Sequence, residues 1–226
     1  MASPFLSPDA HALLRKHSAC DVSDALARLK VPSAGFLADL HAYSPGSGKT
    51  IAPVSTVLFV AKGHAPEHPA PNLPGQLHWS DATEPDSFVV IQQPRGQTNA
   101  VCGGIMALRM KMCRAKGIAV AGRVRDVAEL RSTGLPILAY GTSTVGAGGA
   151  SVAWASQVPL DINGVTVKPG DVAFHDPDDG FVVIPQDKLQ QVLDLMPKLV
   201  AADDKVKEHV VRGGTVHDAF RLHRDG

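Results

Sequence analysis

NAVCGGIMALRMKMCRAKGIAVAGRVRD, residues Asn99 to Asp126, reads in order as an anion cradle, a helix, a strand, and an arginine beside an aspartate. Gly103 and Gly104 open a segment in which Ile105, Leu108 and Met112 recur at helical spacing. Arg109, Lys111, Arg114 and Lys116 are read as the solvated face of that helix, and Gly117 as its end. The first N–H groups of a helix have no internal partner and carry partial positive charge. A glycine pair there lets a carboxylate or phosphate approach bare backbone donors. The apolar run Ile118 to Ala121 is short enough for a buried strand and delivers Arg125 and Asp126 just past its carboxyl end. Ligands of open α/β sheets bind at that end.

The chain on either side supports alternating strands and helices. An amphipathic helix is expected from about Pro8 to Leu29, stopping at Val31-Pro32. A strand at Val54 to Ala61 follows a Pro-Gly-Ser-Gly turn, and a proline-rich loop from Lys62 to Gly75 is expected to lie over the mouth of the site. Further strands are read at Phe88 to Ile91 and near Ile137 to Ala139. After the glycine- and threonine-rich Gly141 to Ala150 come β-like runs at Ile162 to Val167, Val172 to His175 and Phe181 to Ile184. A last helix runs from about Gln186 through Val211, broken or kinked at Pro197, followed by a helical tail at Val216 to His223. No internal repeat is present.

Arg125 offers a planar fork that matches a carboxylate. Asp126 offers hard oxygen to a cation such as Mg²⁺, which keeps several waters and needs few protein ligands. Together they suit a chelating 2-oxo acid. The plainer alternative makes Asp126 the cap of a helix beginning at Val127. Other motifs carry less. His64, Glu67 and His68 spell a zinc-peptidase pattern, but Pro66 and Pro69 oppose the helix it requires. Gly46 to Thr50 imitates the end of a phosphate loop, yet Tyr43 stands where its first glycine belongs. Asp176, Asp178 and Asp179 read as a tight turn and not a calcium loop. Cys102 has no histidine nearby in sequence to activate it and reads as a small core residue.

CDVSDAL (Cys20 to Leu26), STVLFV (Ser55 to Val60), GGIM (Gly103 to Met106), GRVRD (Gly122 to Asp126), and PGD with DDGFVVIP (Pro169 to Asp171, Asp178 to Pro185) occur in an order and spacing that resemble the RraA-like family. That family includes 4-hydroxy-4-methyl-2-oxoglutarate aldolases, oxaloacetate decarboxylases and regulators of ribonuclease E. The resemblance implies an α/β fold over residues 1–226: one domain with a layered β/β/α, swivelling-domain-like core, flanking helices and a C-terminal helical arm. It also implies that Gly103, Gly104, Ile105 and Met106 receive the substrate carboxylate, that Arg125 binds substrate, and that Asp126 binds a divalent cation, Mg²⁺ or Mn²⁺. The implied activity is a metal-dependent lyase that cleaves a 2-oxo acid through a pyruvate enolate, by decarboxylation of oxaloacetate or retro-aldol cleavage. The alternatives are a non-enzymatic, protein-binding regulator and a lyase or cyclase for a larger biosynthetic acid. The implied assembly is a homotrimer or a dimer of trimers, with Asp203, Asp204 and Glu208 as acidic residues of the C-terminal helix that could reach a neighbouring site. Gly104 stands where aldolase members often carry an acidic residue, and Ala121 where they carry aspartate. Retro-aldol cleavage needs a base that Gly104 cannot supply, which favours decarboxylation.

Lys plus Arg and Asp plus Glu both number 22, so no overall basic field recruits nucleic acid or an anionic membrane. The stretch MASPFLSPDAHALLRKHS lacks the apolar core of a secretory signal, and the cytoplasm is the expected location. Cys20, Cys102 and Cys113 have no CxxC spacing and are expected to be free thiols.

Overall fold

The computed structural model describes residues 6–73, 75 and 77–224. Its N-terminal helical region is two helices, α1 (Pro8–Arg15) and α2 (Ala19–Arg28), not the continuous one expected. Ser18 causes the break. Its hydroxyl accepts from Asp21 N–H while the Asp21 carboxylate accepts from Ser18 N–H, a reciprocal cap that starts a new helix. The strands β1 (His41–Ser44) and β2 (Thr50–Ala61) follow. β2 begins earlier than expected and runs straight through Pro53. There the strand changes partners, so a missing N–H is tolerated: Thr50 to Pro53 pair with a later strand and Val54 onward with β3 (Phe88–Gln92).

Next come α3 (Gly104–Met112), β4 (Gly117–Val124), α4 (Val127–Ser132) and β5 (Ile137–Thr142). β2, β3, β4 and β5 are mutually parallel, with α3 and α4 as crossovers, and β1 closes the edge antiparallel to β5. Gly117 opens β4 instead of ending the preceding helix. A side chain on it would overlap the ring of Phe88, whereas α3 stops at Arg114, whose φ of 71° is the left-handed terminator.

The second half is β6 (Ser151–Ser156), β7 (Leu160–Ile162), β8 (Val165–Val167), β9 (Val172–Asp176) and β10 (Gly180–Ile184). The single run expected at Ile162 to Val167 is thus a hairpin turning at Asn163-Gly164, where φ is 54° and 84°. β6 and β9 both pair antiparallel with β2 and curl the sheet into a half-barrel. β1 and β6 were not expected. The chain ends with α5 (Leu189–Val211), continuous through Pro197, and α6 (Val216–His223).

Strand alternation sorts the core into layers. In β4, Ala119 and Ala121 face the cluster of Phe88, Phe181 and the β7–β8 hairpin, while Ile118 and Val120 face Ala107, Met110 and Leu130 beneath α3 and α4. A third cluster seats α1, α2 and α5 on β9 and β10. On α3 the buried face is Gly104, Ala107 and Met110. The expected apolar positions Ile105, Leu108 and Met112 are 71%, 54% and 67% exposed. This reverses the sequence reading, which took the bulkier hydrophobes for the inner face. Small residues lie inside because α3 packs close to α4 and the sheet. Among the described residues no helix is long and apolar enough to cross a membrane.

Candidate functional site

After β3 the chain runs alongside the carboxyl end of β4. Val101 N–H donates to Arg123 O and Arg125 N–H donates to Cys102 O, both at 3.0 Å, and Cys102 bridges Val124 in parallel. This short extension holds Gly103, the N-cap of α3, against Arg125 and Asp126. A methyl group on Gly103 would lie 2.8 Å from Asp126 Oδ2 and 3.2 Å from Arg125 Nε. A larger residue there would push aside both charged side chains, which lie across the glycine. The first helical donor is Ala107 N–H, to Gly103 O at 3.0 Å, and no side chain caps the helix. The amides of Gly104, Ile105 and Met106 therefore head an uncapped helix. Gly103, Ile105, Met106, Arg125 and Asp126 line one cavity of about 160 Å³, the volume of on the order of five waters in the liquid. A three-carbon acid is of that size.

Asp126 is the N-cap of α4 by position only. Its φ and ψ are 59° and 47°, and its side chain accepts no hydrogen bond from the helix it precedes. The helix-cap alternative is thereby corrected. Instead, Asp126 Oδ2 lies 3.3 Å from Arg125 Nε, with the side chains 41% and 43% exposed. A pair that wet adds little stability.

Gly104 is buried and does not line the cavity with its neighbours. Its Cα packs against Glu129, whose side chain fills the space a residue larger than glycine would take. A carboxylate thus lies beside the glycine pair although residue 104 carries none. Sequence reasoning missed Glu129; the available signal was its spacing from Asp126, three residues along α4 and on the same face.

His78 and Trp79 also line the cavity and were not anticipated. His78 Nδ1 is anchored by Ser80, at 2.8 Å from its Oγ and 3.3 Å from its backbone N–H, which leaves Nε2 without a partner among these contacts. The proline-rich loop leads into this pair and is seated on β6, where Trp154 Nε1 donates to Pro69 O at 2.8 Å and Asn72 bonds Ser156 in both directions; none of its described residues lines the cavity. Pro74 lies outside the described residues. His64, Glu67 and His68 are in this loop and not on a helix. Cys102 lines the cavity but is fully buried, and desolvation pushes its thiol up to about 12. It is no nucleophile at neutral pH.

Among the described residues no three His, Cys, Asp or Glu side chains come together. Among the described residues Asp126 is the carboxylate that lines the cavity, a single hard oxygen donor of the kind a cation holding most of its own water needs.

The profile of the RraA-like family, described as Aldolase/RraA, matches residues 19–183. The chain belongs to the RraA-like family. Protein DlpA of Legionella pneumophila is 29% identical to this RraA-like chain over 203 residues, covering 89% of it and 32% of DlpA. A putative 4-hydroxy-4-methyl-2-oxoglutarate aldolase of Halalkalibacterium halodurans is 30% identical over 127 residues, 56% of this chain and 59% of that protein. The chain thus spans less than two thirds of these curated relatives. Among solved structures, Streptomyces coelicolor RraAS2, an unusual member of the RNase ES inhibitor RraA protein family, superposes with a TM-score of 0.69 at 26% identity, over 91% of this chain and 96% of that one. An uncharacterised Pseudomonas syringae protein shares the fold, with a TM-score of 0.75 at 22% identity over 95% and 98% of the two chains.

Proposed function

We propose that this RraA-like chain, taken as one domain over 1–226, is a divalent-metal-dependent carbon–carbon lyase that cleaves 2-oxo acids to pyruvate enolate. The observation that carries the proposal is Gly103 at the uncapped start of α3, with Asp126 Oδ2 and Arg125 Nε laid across it. This places backbone donors, a guanidinium and an uncapped carboxylate around one small cavity.

Asp126 would hold Mg²⁺ or Mn²⁺, the dependence known for the family's aldolases. When bound, the cation supplies a Lewis acid toward the keto oxygen. Arg125 clamps a substrate carboxylate with its fork, and the amides of Ile105 and Met106 stabilise charge that grows as the carbon–carbon bond breaks. In oxaloacetate that bond's electron pair passes to the keto group as carbon dioxide leaves. A proton from solvent water then turns the enolate into pyruvate, with His78, in the same cavity, placed to relay it.

Retro-aldol cleavage also needs a base for the 4-hydroxyl. The sequence-based preference for decarboxylation rests on Gly104 lacking a carboxylate; Glu129 packs against Gly104 but does not line the cavity, so the preference stands. Both substrates belong in the test: pyruvate release from oxaloacetate and from 4-hydroxy-4-methyl-2-oxoglutarate, with and without chelator. Metal-dependent release from either is expected; release from neither ends the lyase reading.

The proposed assembly is a trimer or a dimer of trimers. Its support is the exposed stripe Ile105, Leu108 and Met112, which adjoins the cavity and is apolar enough to ask for cover. The same stripe favours the second reading, a protein-binding regulator. A C-terminal acidic residue reaching a neighbour's site has less support, since Asp203 pairs with Arg224, Asp204 with Lys207 and Glu208 with Arg212 within the chain. The proposed location is the cytoplasm, with no nucleic-acid or membrane partner.

A further inference from the structure

We infer that a second cavity, at the carboxyl ends of β3 and β4, binds a small organic anion, its acidic group held by Arg95 and Arg123 and a neighbouring acceptor by Tyr140. The cavity encloses about 390 Å³ and is lined by these three residues with Gln93, Asn163 and Asp39. That is room for a small metabolite. It has no lining residue in common with the first cavity and does not depend on the lyase reading.

The charge balance points to an anion. Among the described residues neither Arg95 nor Arg123 has a carboxylate within ion-pair distance. Arg95 donates to Asn163 Oδ1 at 2.6 Å and Arg123 Nη1 to Thr142 O at 3.0 Å, which spends only part of each five-donor guanidinium. Asp39, exposed on the wall, leaves the lining one positive charge in excess.

The hydrogen bonds are also directional. An arginine can only donate, so Asn163 must turn Oδ1 toward Arg95 and its amide nitrogen toward Tyr140, whose hydroxyl accepts at 3.0 Å. The tyrosine proton is then free for a ligand. Burial pushes the Tyr140 phenol above its ordinary value, so it keeps that proton at neutral pH. The floor is fixed independently: Gln93 Oε1 accepts from Arg123 N–H at 2.9 Å while its Nε2 donates to Asn99 O at 2.7 Å. Arg123 thus springs from a backbone already tied down, and less entropy is lost when its head is ordered.

The test is calorimetric titration of the full chain with succinate, malonate and glycerol 3-phosphate, with glycerol as the uncharged control. At least one anion is expected to bind at a site that survives Arg125→Lys, and glycerol not to bind. Carboxylate and phosphate acids share the chemistry, and the arm that binds identifies the source. Arg95→Gln and Arg123→Gln are each expected to weaken binding about ten- to a hundredfold, and Tyr140→Phe less. Arg125→Lys and Asp126→Asn are expected to leave it unchanged, whatever they do to pyruvate release. If Arg123→Gln does not fold, the exposed Arg95→Gln and the charge-keeping Arg123→Lys decide. No binding by any anion, equal binding by the Arg95 variant, or loss in the Arg125 variant would overturn the inference.

Discussion

Asp126 and Gly103 differ from ordinary helix-start residues in what their side-chain positions touch. Asn tolerates the left-handed backbone of Asp126 and caps a helix as well as Asp, so Asp126→Asn is expected to change unfolding free energy by less than about 0.5 kcal/mol while removing the charge. Urea denaturation of the two proteins measures this, and a larger loss would mean that the charge of Asp126 holds the fold. Gly103→Ala places a methyl 2.8 Å from Asp126 Oδ2 and 3.1 Å from Arg125 Cγ. It should leave the fold intact and cut pyruvate release at least tenfold; native rates would mean that the two side chains need not cross Gly103. The place of Arg125 and Asp126 at the end of β4 and on the cavity was legible because GRVRD follows an apolar run. Glu129 and His78 were not, since their place depends on how closely α4 packs on Gly104 and where a long loop is anchored.

α3 shows how a helix can be read at the right place with the wrong face inward. Met110, fully buried, is expected to cost about 2–5 kcal/mol when cut to alanine, whereas Leu108→Gln and Met112→Gln should cost less than about 0.5 kcal/mol. Thermal denaturation of the isolated variants checks this; a large loss from Leu108→Gln at unchanged oligomeric state would restore the original face. Periodicity located the helix but could not choose between Ile105–Leu108–Met112 and Gly104–Ala107–Met110, because two of the three inner positions, Gly104 and Ala107, are small. β4 was legible for the opposite reason: a strand buried on both faces is apolar throughout. β1 and β6, edge strands with mixed composition, left no such trace. The Ser18–Asp21 cap was visible in the residues and was overridden by the amphipathic pattern on either side.

At the scale of the whole molecule, the half-barrel buries His175 in β9, with Nδ1 unpartnered, 6.4 Å from Phe88 between ring centres. Burial lowers its pKa from the ordinary 6.5, against the opposing pull of Asp176. The unfolded chain therefore takes a proton before the folded one, so stability is full above pH 6.5 and falls as pH drops through 6.5 toward the folded value. Urea midpoints between pH 7 and 5 should decline more steeply for the native chain than for His175→Gln. Equal slopes would show that His175 is not the group responsible. Three apolar layers around one curled sheet hold the loop after β3 to the end of β4, and with it Gly103 to Arg125 and Asp126. Whether that juncture is a lyase site is tested most directly by pyruvate release from oxaloacetate, with Mg²⁺ present, by the native chain and by folded Arg125→Lys. Lysine keeps the charge and loses the fork, so the variant should fall roughly thirty- to a thousandfold in kcat/KM, about 2–4 kcal/mol of transition-state stabilisation, with an unchanged Tm. A folded Arg125→Lys protein that releases pyruvate at the native rate would contradict the central claim.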